Sequence, residues 1–394
     1  MREPPADFAD AAFLERHVVE TLAFYDGARD PAGGFFHCFR DDGTIYDRHT
    51  RHLVSSARFV INYARAAKRY PGKKEFLTRA RHGFEFLERA HRQPNGAYAW
   101  ELDDGAVRDG SIMAYGQAFV VLSAATALSA GIGEARAALD GVWSVLERHF
   151  WEEGYGAYRD ELDASLTQGS PYRGQNANMH LVEAALGAYD ATGDLRFLER
   201  AERVAETFCR RLAGDAGGMV WEHYTTTWRP DFGYNRDRPN DLFKPWGYQP
   251  GHQFEWSRLL LALEQRRAKP WYVSTAIALY GNGKRIGFDP EYGGVVYGVA
   301  PDGAIASGEK YHWVMSEGFA AAWRLFRRTG DQQYRVDYDT LWSFAWRHLV
   351  DHRYGAWYRV VTRDGAKIDD LKSPPGKADY HTLGACWDVL EHLS

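Results

Sequence analysis

Three cysteines in 394 residues, Cys38, Cys209 and Cys386, are too few and too scattered for a disulfide framework, and no CxxC spacing suggests a zinc knuckle. No window approaches 18 continuous apolar residues, which excludes a transmembrane helix and a membrane role. The first twenty residues, MREPPADFADAAFLERHVVE, have no apolar central stretch and carry acids early, so no secretory signal is expected and a reducing cytoplasm is the expected compartment. A surplus of positive charge is also missing. With 48 Lys and Arg against 53 Asp and Glu the net charge is -5, which argues against nucleic acid as a partner. Short catalytic signatures are absent too: no HExxH for zinc, no GxSxG elbow, no GxGxxG or phosphate-binding P-loop. Aromatic residues, by contrast, are plentiful at 15%, with 14 Trp, 23 Tyr and 21 Phe. Such an excess builds large cores, or walls a pocket for a ligand with CH faces such as a sugar.

A unit recurs along the chain. Six glycine–aromatic stretches begin at Gly33, Asn95, Glu153, Gly217, Tyr292 and Tyr354, spaced 58 to 75 residues apart. Each reads as two short strands around a turn, often Asp-Gly. The intervening residues are room for two helices and a short link, as in Leu53, Ala57, Val60, Ile61 and Ala64 at helical spacing, then a Pro71-Gly72 break, then Phe76, Phe84, Phe86 and Leu87. With a first helix near 8–26 and a last near 379–393 the total is twelve. Such units cannot bury their apolar faces alone, and no low-complexity linker divides them. The expectation is therefore one all-α domain over 1–394: an (α/α)6 barrel of six inner and six outer helices with short β-hairpins at one mouth. Small residues in the helix after each hairpin, such as Ala320-Ala321-Ala322, place that helix in the crowded inner ring.

The first turns of the inner helices then meet at one mouth. They carry Thr50-Arg51-His52, Tyr115-Gly116-Gln117, Gln175 to His180, Pro250 to Trp256, Tyr311-His312-Trp313 with Glu317, and Asp379-Tyr380-His381. Asn176 and His180 are i,i+4, His252 and Glu255 are i,i+3, and Trp313 and Glu317 are i,i+4, so each pair shares a helix face. Charge buried without a task is expensive, and the convergence of an Arg, three His and two Glu marks a site. A weak His-x-x-Glu pattern does not make it a metal site, and no metal or other cofactor is expected.

At these residues the chain resembles the N-acylglucosamine 2-epimerase superfamily, and within it the bacterial aldose–ketose isomerases acting on mannose or sulfoquinovose. The motifs are TRHLVSSARFV at 50–60, AYGQAFVVL at 114–122, GQNANMHLVEA at 174–184, PGHQFEWSRLL at 250–260, YHWVMSEGF at 311–319 and DYHTLG at 379–384. The resemblance implies an (α/α)6 barrel and a cofactor-free isomerisation of a free monosaccharide, D-mannose to D-fructose. It implies His252, His381, His180, Glu255 and Arg51 as catalytic, and Asn176, Glu317, Trp313 and Tyr115 as sugar-binding. Gln117, where many relatives carry His, is placed with the sugar-binding set. Histidine suits proton transfer because its ordinary pKa is near neutrality. In this scheme His381 moves the proton between C2 and C1 through a cis-enediolate, His252 with Glu255 opens the ring, His180, Arg51 and Asn176 hold the oxygens, and Glu317 binds hydroxyls. Rivals at this point are a sugar 2-epimerase using His252 and His381 as two bases, a metal-dependent hydride shift, a glycosidase, and a non-catalytic sugar-binding regulator. Arg173 and Arg236 are further candidates for an anionic substituent, and the long 229–250 stretch for a lid. The oligomeric state, a homo-oligomer included, is left open.

Overall fold

The computed structural model describes residues 2–393. Twelve helices of eleven residues or more alternate between two rings. The inner ring is α2 (Leu53–Arg69), α4 (Ala114–Ser129), α6 (Gln175–Thr192), α8 (Pro250–Arg266), α10 (His312–Thr329) and α12 (Tyr380–Glu391). The outer ring is α1 (Ala11–Phe24), α3 (Lys74–Phe86), α5 (Ala135–Val145), α7 (Leu195–Glu206), α9 (Pro270–Gly287) and α11 (Gln332–His348). Burial follows from this placement. In α4 residues on all sides are covered, whereas α7 hides only one stripe, Phe197, Leu198, Ala201, Glu202, Val204 and Ala205.

The inner helices touch in the cyclic order α2, α4, α6, α8, α10, α12 and back to α2, and α1 packs on α12 to complete the sixth pair. An open solenoid would lack the last contacts, so the barrel is closed as expected. Small residues on α4 and α10 (Ala124, Ala125, Ala320 to Ala322) are fully buried where helices crowd.

The expected hairpins are only partly local. Strand pairs form within 38–47, 101–109, 151–158 and 298–307. At the Asp104-Gly105 turn both central residues have positive φ (47° and 79°), which the Asp-Gly pair tolerates. In the fourth and sixth stretches, however, the first strand pairs with the segment leading into the preceding inner helix. His223–Tyr224 pairs with Arg173–Gly174, and Val360–Val361 with Lys310–Tyr311. Their own hairpins shrink to the bridges Tyr224–Pro230 and Val361–Lys367; a proline has no N–H with which to extend the ladder. These cross-links tie the helix entrances together at the hairpin mouth. Among the described residues no helix is long and apolar enough to cross a membrane.

Candidate active site

The inner helices begin in the same place for a common reason. Five of them follow an extended residue and α12 follows the left-handed Asp379, and α4, α6, α8, α10 and α12 start with no side-chain cap, so their free N–H ends crowd one mouth. Within that mouth lies a pocket of about 690 Å³ lined by His180, His252, His381, Glu255, Asn176 and Trp313, with Tyr115 and Arg58.

His252 sits in the first turn of α8, two residues after Pro250. Its Nδ1 lies 2.8 Å from Glu222 Oε1 and 2.8 Å from Gln175 Nε2. The Trp256 indole donates to Gln175 Oε1 (2.8 Å), which orients the amide so that its nitrogen also donates to Glu222. With the Gln175 donor aimed at the carboxylate, the proton of His252 belongs on Nδ1, leaving Nε2 free as a base. His381, in the first turn of α12, repeats the device: Nδ1 lies 2.8 Å from Glu317 Oε1. Its Nε2 lies 3.3 Å from an Arg58 nitrogen. Burial, then the charge of Arg58, pushes the His381 pKa well below its usual value, so the ring is neutral. The rings of His252 and His381 both pack on Trp313, with centroids 4.9 and 5.8 Å away, and His180 stands 6.1 Å from His381. Gly251 permits this: a Cβ there would lie 2.5 Å from the Trp313 ring. The entrance to α12 is itself held. Asp379 adopts φ 47°, and its Oδ2 accepts from Tyr25 and Lys377, each at 2.6 Å.

Three carboxylates and one guanidinium form the floor. Arg258 Nε donates to Glu317 Oε2 (2.7 Å) and its other end reaches Glu183 Oε1 (3.4 Å). Burial raises the Glu183 carboxyl, but the His180 hydrogen bond (3.2 Å) and Arg258 outweigh it, and the group lies well below the usual range. Glu255 differs. Both of its oxygens are buried without a hydrogen bond, and burial together with the charges of Glu317 and Glu183 drives its pKa well above the usual value. Its protonated form is favoured there, 3.7 Å from His180. Two sets of donors, His180 with Glu183 and Glu255, and Glu255 with Glu317 and His381, lie close enough to hold a metal ion. Arg258 already supplies positive charge to all three carboxylates, so a dication would have to compete with it.

The structure corrects three expected residues. Arg51 is not in the pocket: it pairs with Asp30 (2.6 Å), stacks on Phe36 and donates to the Arg48 and Thr50 carbonyls. It precedes α2 on an extended segment, whose alternation turns it away. Arg58, in the second turn of α2, does line the pocket, as does Arg359. The Arg58 guanidinium lies between the rings of Phe119 and Tyr380 and donates to the Tyr115 hydroxyl (3.2 Å) and the Gly376 carbonyl. Gln117 does not reach the pocket either; its amide bonds the Tyr98 backbone N–H (3.0 Å) and carbonyl (2.9 Å). Glu317 lies behind His381 rather than on the pocket wall, so it orients the ring instead of meeting hydroxyls. Asn176 and Tyr115 do line the pocket, and Asn176 Oδ1 has no partner. Arg173 is spent on Glu152, and Arg236 stacks on Trp246.

The sequence and the fold are similar to those of known proteins. Residues 34–385 match the model of the N-acylglucosamine 2-epimerase family. The chain belongs to that family. It is 45% identical to a D-mannose isomerase of Marinomonas mediterranea over 98% of both chains, and 37% identical to one from Thermobifida fusca over 96% of this chain and 93% of that one. A solved D-mannose isomerase, also 45% identical, superposes with a TM-score of 0.97 over 99% of this chain and 100% of the other. A cellobiose 2-epimerase of Bacillus thermoamylovorans shares the fold at 20% identity (TM-score 0.86, 97% and 100% covered). Family membership accords with the twelve-helix barrel and with the motifs on α2, α6, α8, α10 and α12. The reading of first turns alone missed Arg58, Glu183, Arg258 and Glu222. The first three were detectable as charges inside otherwise apolar inner helices, two of them three residues after His180 and Glu255. Glu222 precedes α8 on a hairpin, and nothing in the spacing links it to His252.

Proposed function

We propose that this family member is an aldose–ketose isomerase interconverting D-mannose and D-fructose. The observation that carries the reading is the pair of histidines, His381 and His252, each with Nδ1 tied to a buried carboxylate and both packed on Trp313 in one pocket. Each presents Nε2 as a base in a fixed tautomer.

The cyclic sugar opens when a proton leaves its anomeric hydroxyl and another reaches the ring oxygen. His252 accepts the first, and Glu255, held protonated, supplies the second. In the open aldose His381 Nε2 removes the C2 proton. The electron pair forms the C1–C2 double bond, and charge moves to O1. Arg58 and the uncapped N-termini of the inner helices stabilise that charge. The imidazolium, steadied by Glu317, returns the proton to C1 while a proton passes from O2 to O1 and the C2 carbonyl forms. Asn176 accepts from a hydroxyl, and Trp313 and Tyr115 cover CH faces. The 229–249 loop brings Phe243 to the pocket against Tyr115 (5.9 Å), which closes the mouth over a single sugar ring.

Deuterium separates this from its rivals. D-Mannose in D2O with EDTA, followed by NMR, is expected to give fructose carrying deuterium at C1. Glucose without fructose would make the chain a 2-epimerase. Fructose with no deuterium, or loss of turnover in EDTA, would point to a metal-assisted hydride shift.

A further inference from the structure

Behind the catalytic floor the barrel opens again. The C-terminal halves of the inner helices line a second hollow, open to solvent and larger than the sugar pocket, of about 1710 Å³ with its open mouth included. Its wall sets five arginines and Lys68 among five carboxylates, and nearly all the arginines are engaged. Arg69 pairs with Glu15, Arg266 with Asp190, Arg324 with Asp388, and Arg258 with Glu317 and Glu183. Arg65 is different. Among the described residues it makes no hydrogen bond or ion pair, although it stands in the wall with its guanidinium 5.9 Å from the Tyr380 ring. Lys68, nearly one turn further along α2, is likewise unpaired. Basic residues in the last turn of a helix ordinarily complement its free carbonyls, and Arg266 does so through the Ala262 carbonyl (2.7 Å). Arg65 lies a turn too early for that task, and its five donors are left to the cavity.

We propose that this rear cavity binds a small phosphorylated molecule or phosphate itself, with the Arg65 fork and Lys68 as its recognition pair. The planar guanidinium matches phosphate oxygens two at a time, and the ammonium adds a mobile point charge. The cavity also shares two walls with the catalytic floor. Glu183 carries His180, and Arg258 carries Glu317, which carries His381. An anion drawing on Arg258 therefore loosens the support of His381 and lowers turnover from behind. This coupling rests on the function proposed above; the binding does not.

The test uses inorganic pyrophosphate at an ionic strength held constant with sodium chloride. Melting temperature and 31P line width are read without sugar. A saturable rise in melting temperature and broadening are expected for the wild type, several-fold weaker binding for Lys68→Gln, and at least tenfold weaker for Arg65→Gln with Lys68→Gln. Lys68 is exposed, so its single variant keeps the test readable should the double variant fold poorly. Initial rates on D-mannose are then expected to show a fall in kcat that excess sugar does not relieve. No saturable binding, or binding indifferent to both variants, overturns the site. Inhibition relieved completely by sugar places the anion in the front pocket and overturns it equally. Binding with kcat unchanged overturns the coupling alone.

Discussion

The two ends of the barrel are made from the same six helices and treat polar groups in opposite ways. At the hairpin end capacity is left over: Asn176 Oδ1 and both Glu255 oxygens have no partner, His252 has partners on Nδ1 alone, and helix N-termini are uncapped. At the far end charge is denser but mostly neutralised in pairs such as Arg324–Asp388. The contrast teaches that chemistry follows unspent hydrogen bonding rather than charge density. Paired charges hold the helices in place, while unpaired ones wait for a ligand.

That contrast breaks hardest at the histidines. His381→Ala and His252→Ala are each expected to lower kcat by about 10²–10⁴-fold, with circular dichroism melts close to wild type. Most activity surviving in both would sink the assigned roles. Arginine comes next. Arg58→Gln is expected to cost about 10²–10³-fold in kcat, as loss of a donor to a developing oxyanion does. Arg51→Gln, in contrast, should leave kcat within a few-fold and lower stability by about 1–3 kcal/mol through its abandoned partner Asp30. A reversed ranking in parallel assays and melts would restore Arg51 to the site.

A smaller effect sharpens the picture of Glu255. Its carboxyl is held well above the usual range by burial and by Glu317 and Glu183, so activity is expected to fall on the alkaline side as this acid ionises. His381, pushed below its ordinary value by burial, stays a competent base below pH 6.5. Glu255→Gln should lower the rate and abolish the alkaline fall, and a kcat–pH profile checks both. The smallest effect lies outside the site. Burial lowers His17 and His91 to about 4 and His37 to about 3. Below pH 6.5 the unfolded chain binds the extra protons. Their contribution to stability is full above that pH and is lost progressively as pH falls through about 4. Melting temperature should drop over that window, less steeply in His17→Gln.

Much of this was legible in the repeat. Helix order, inner-ring identity and the meeting of His180, His252 and His381 follow from six recurring stretches, because each unit must bury its apolar face on its neighbours. Side-chain direction did not follow. Arg51 and Arg58 sit in one motif, and the choice between them depends on where the strand ends and helical phase begins, which His52 settles only through its hydrogen bond to the Val54 N–H. Gln117 lies on an inner helix and still turns to the Tyr98 backbone, because an extended segment nearby needs its donors and acceptors satisfied. Glu222 was out of reach, since its approach to His252 depends on the pairing of 223–224 with 173–174 across the ring.

The position of α12 as the closing stave has a temporal consequence. His381 and the Tyr380 face beside Arg58 arrive with the sixth inner helix, after the other five have been synthesised. A partly made chain can assemble five-sixths of the scaffold yet offers sugar no complete reaction centre. Turnover begins only once the ring's last helix docks beside its first.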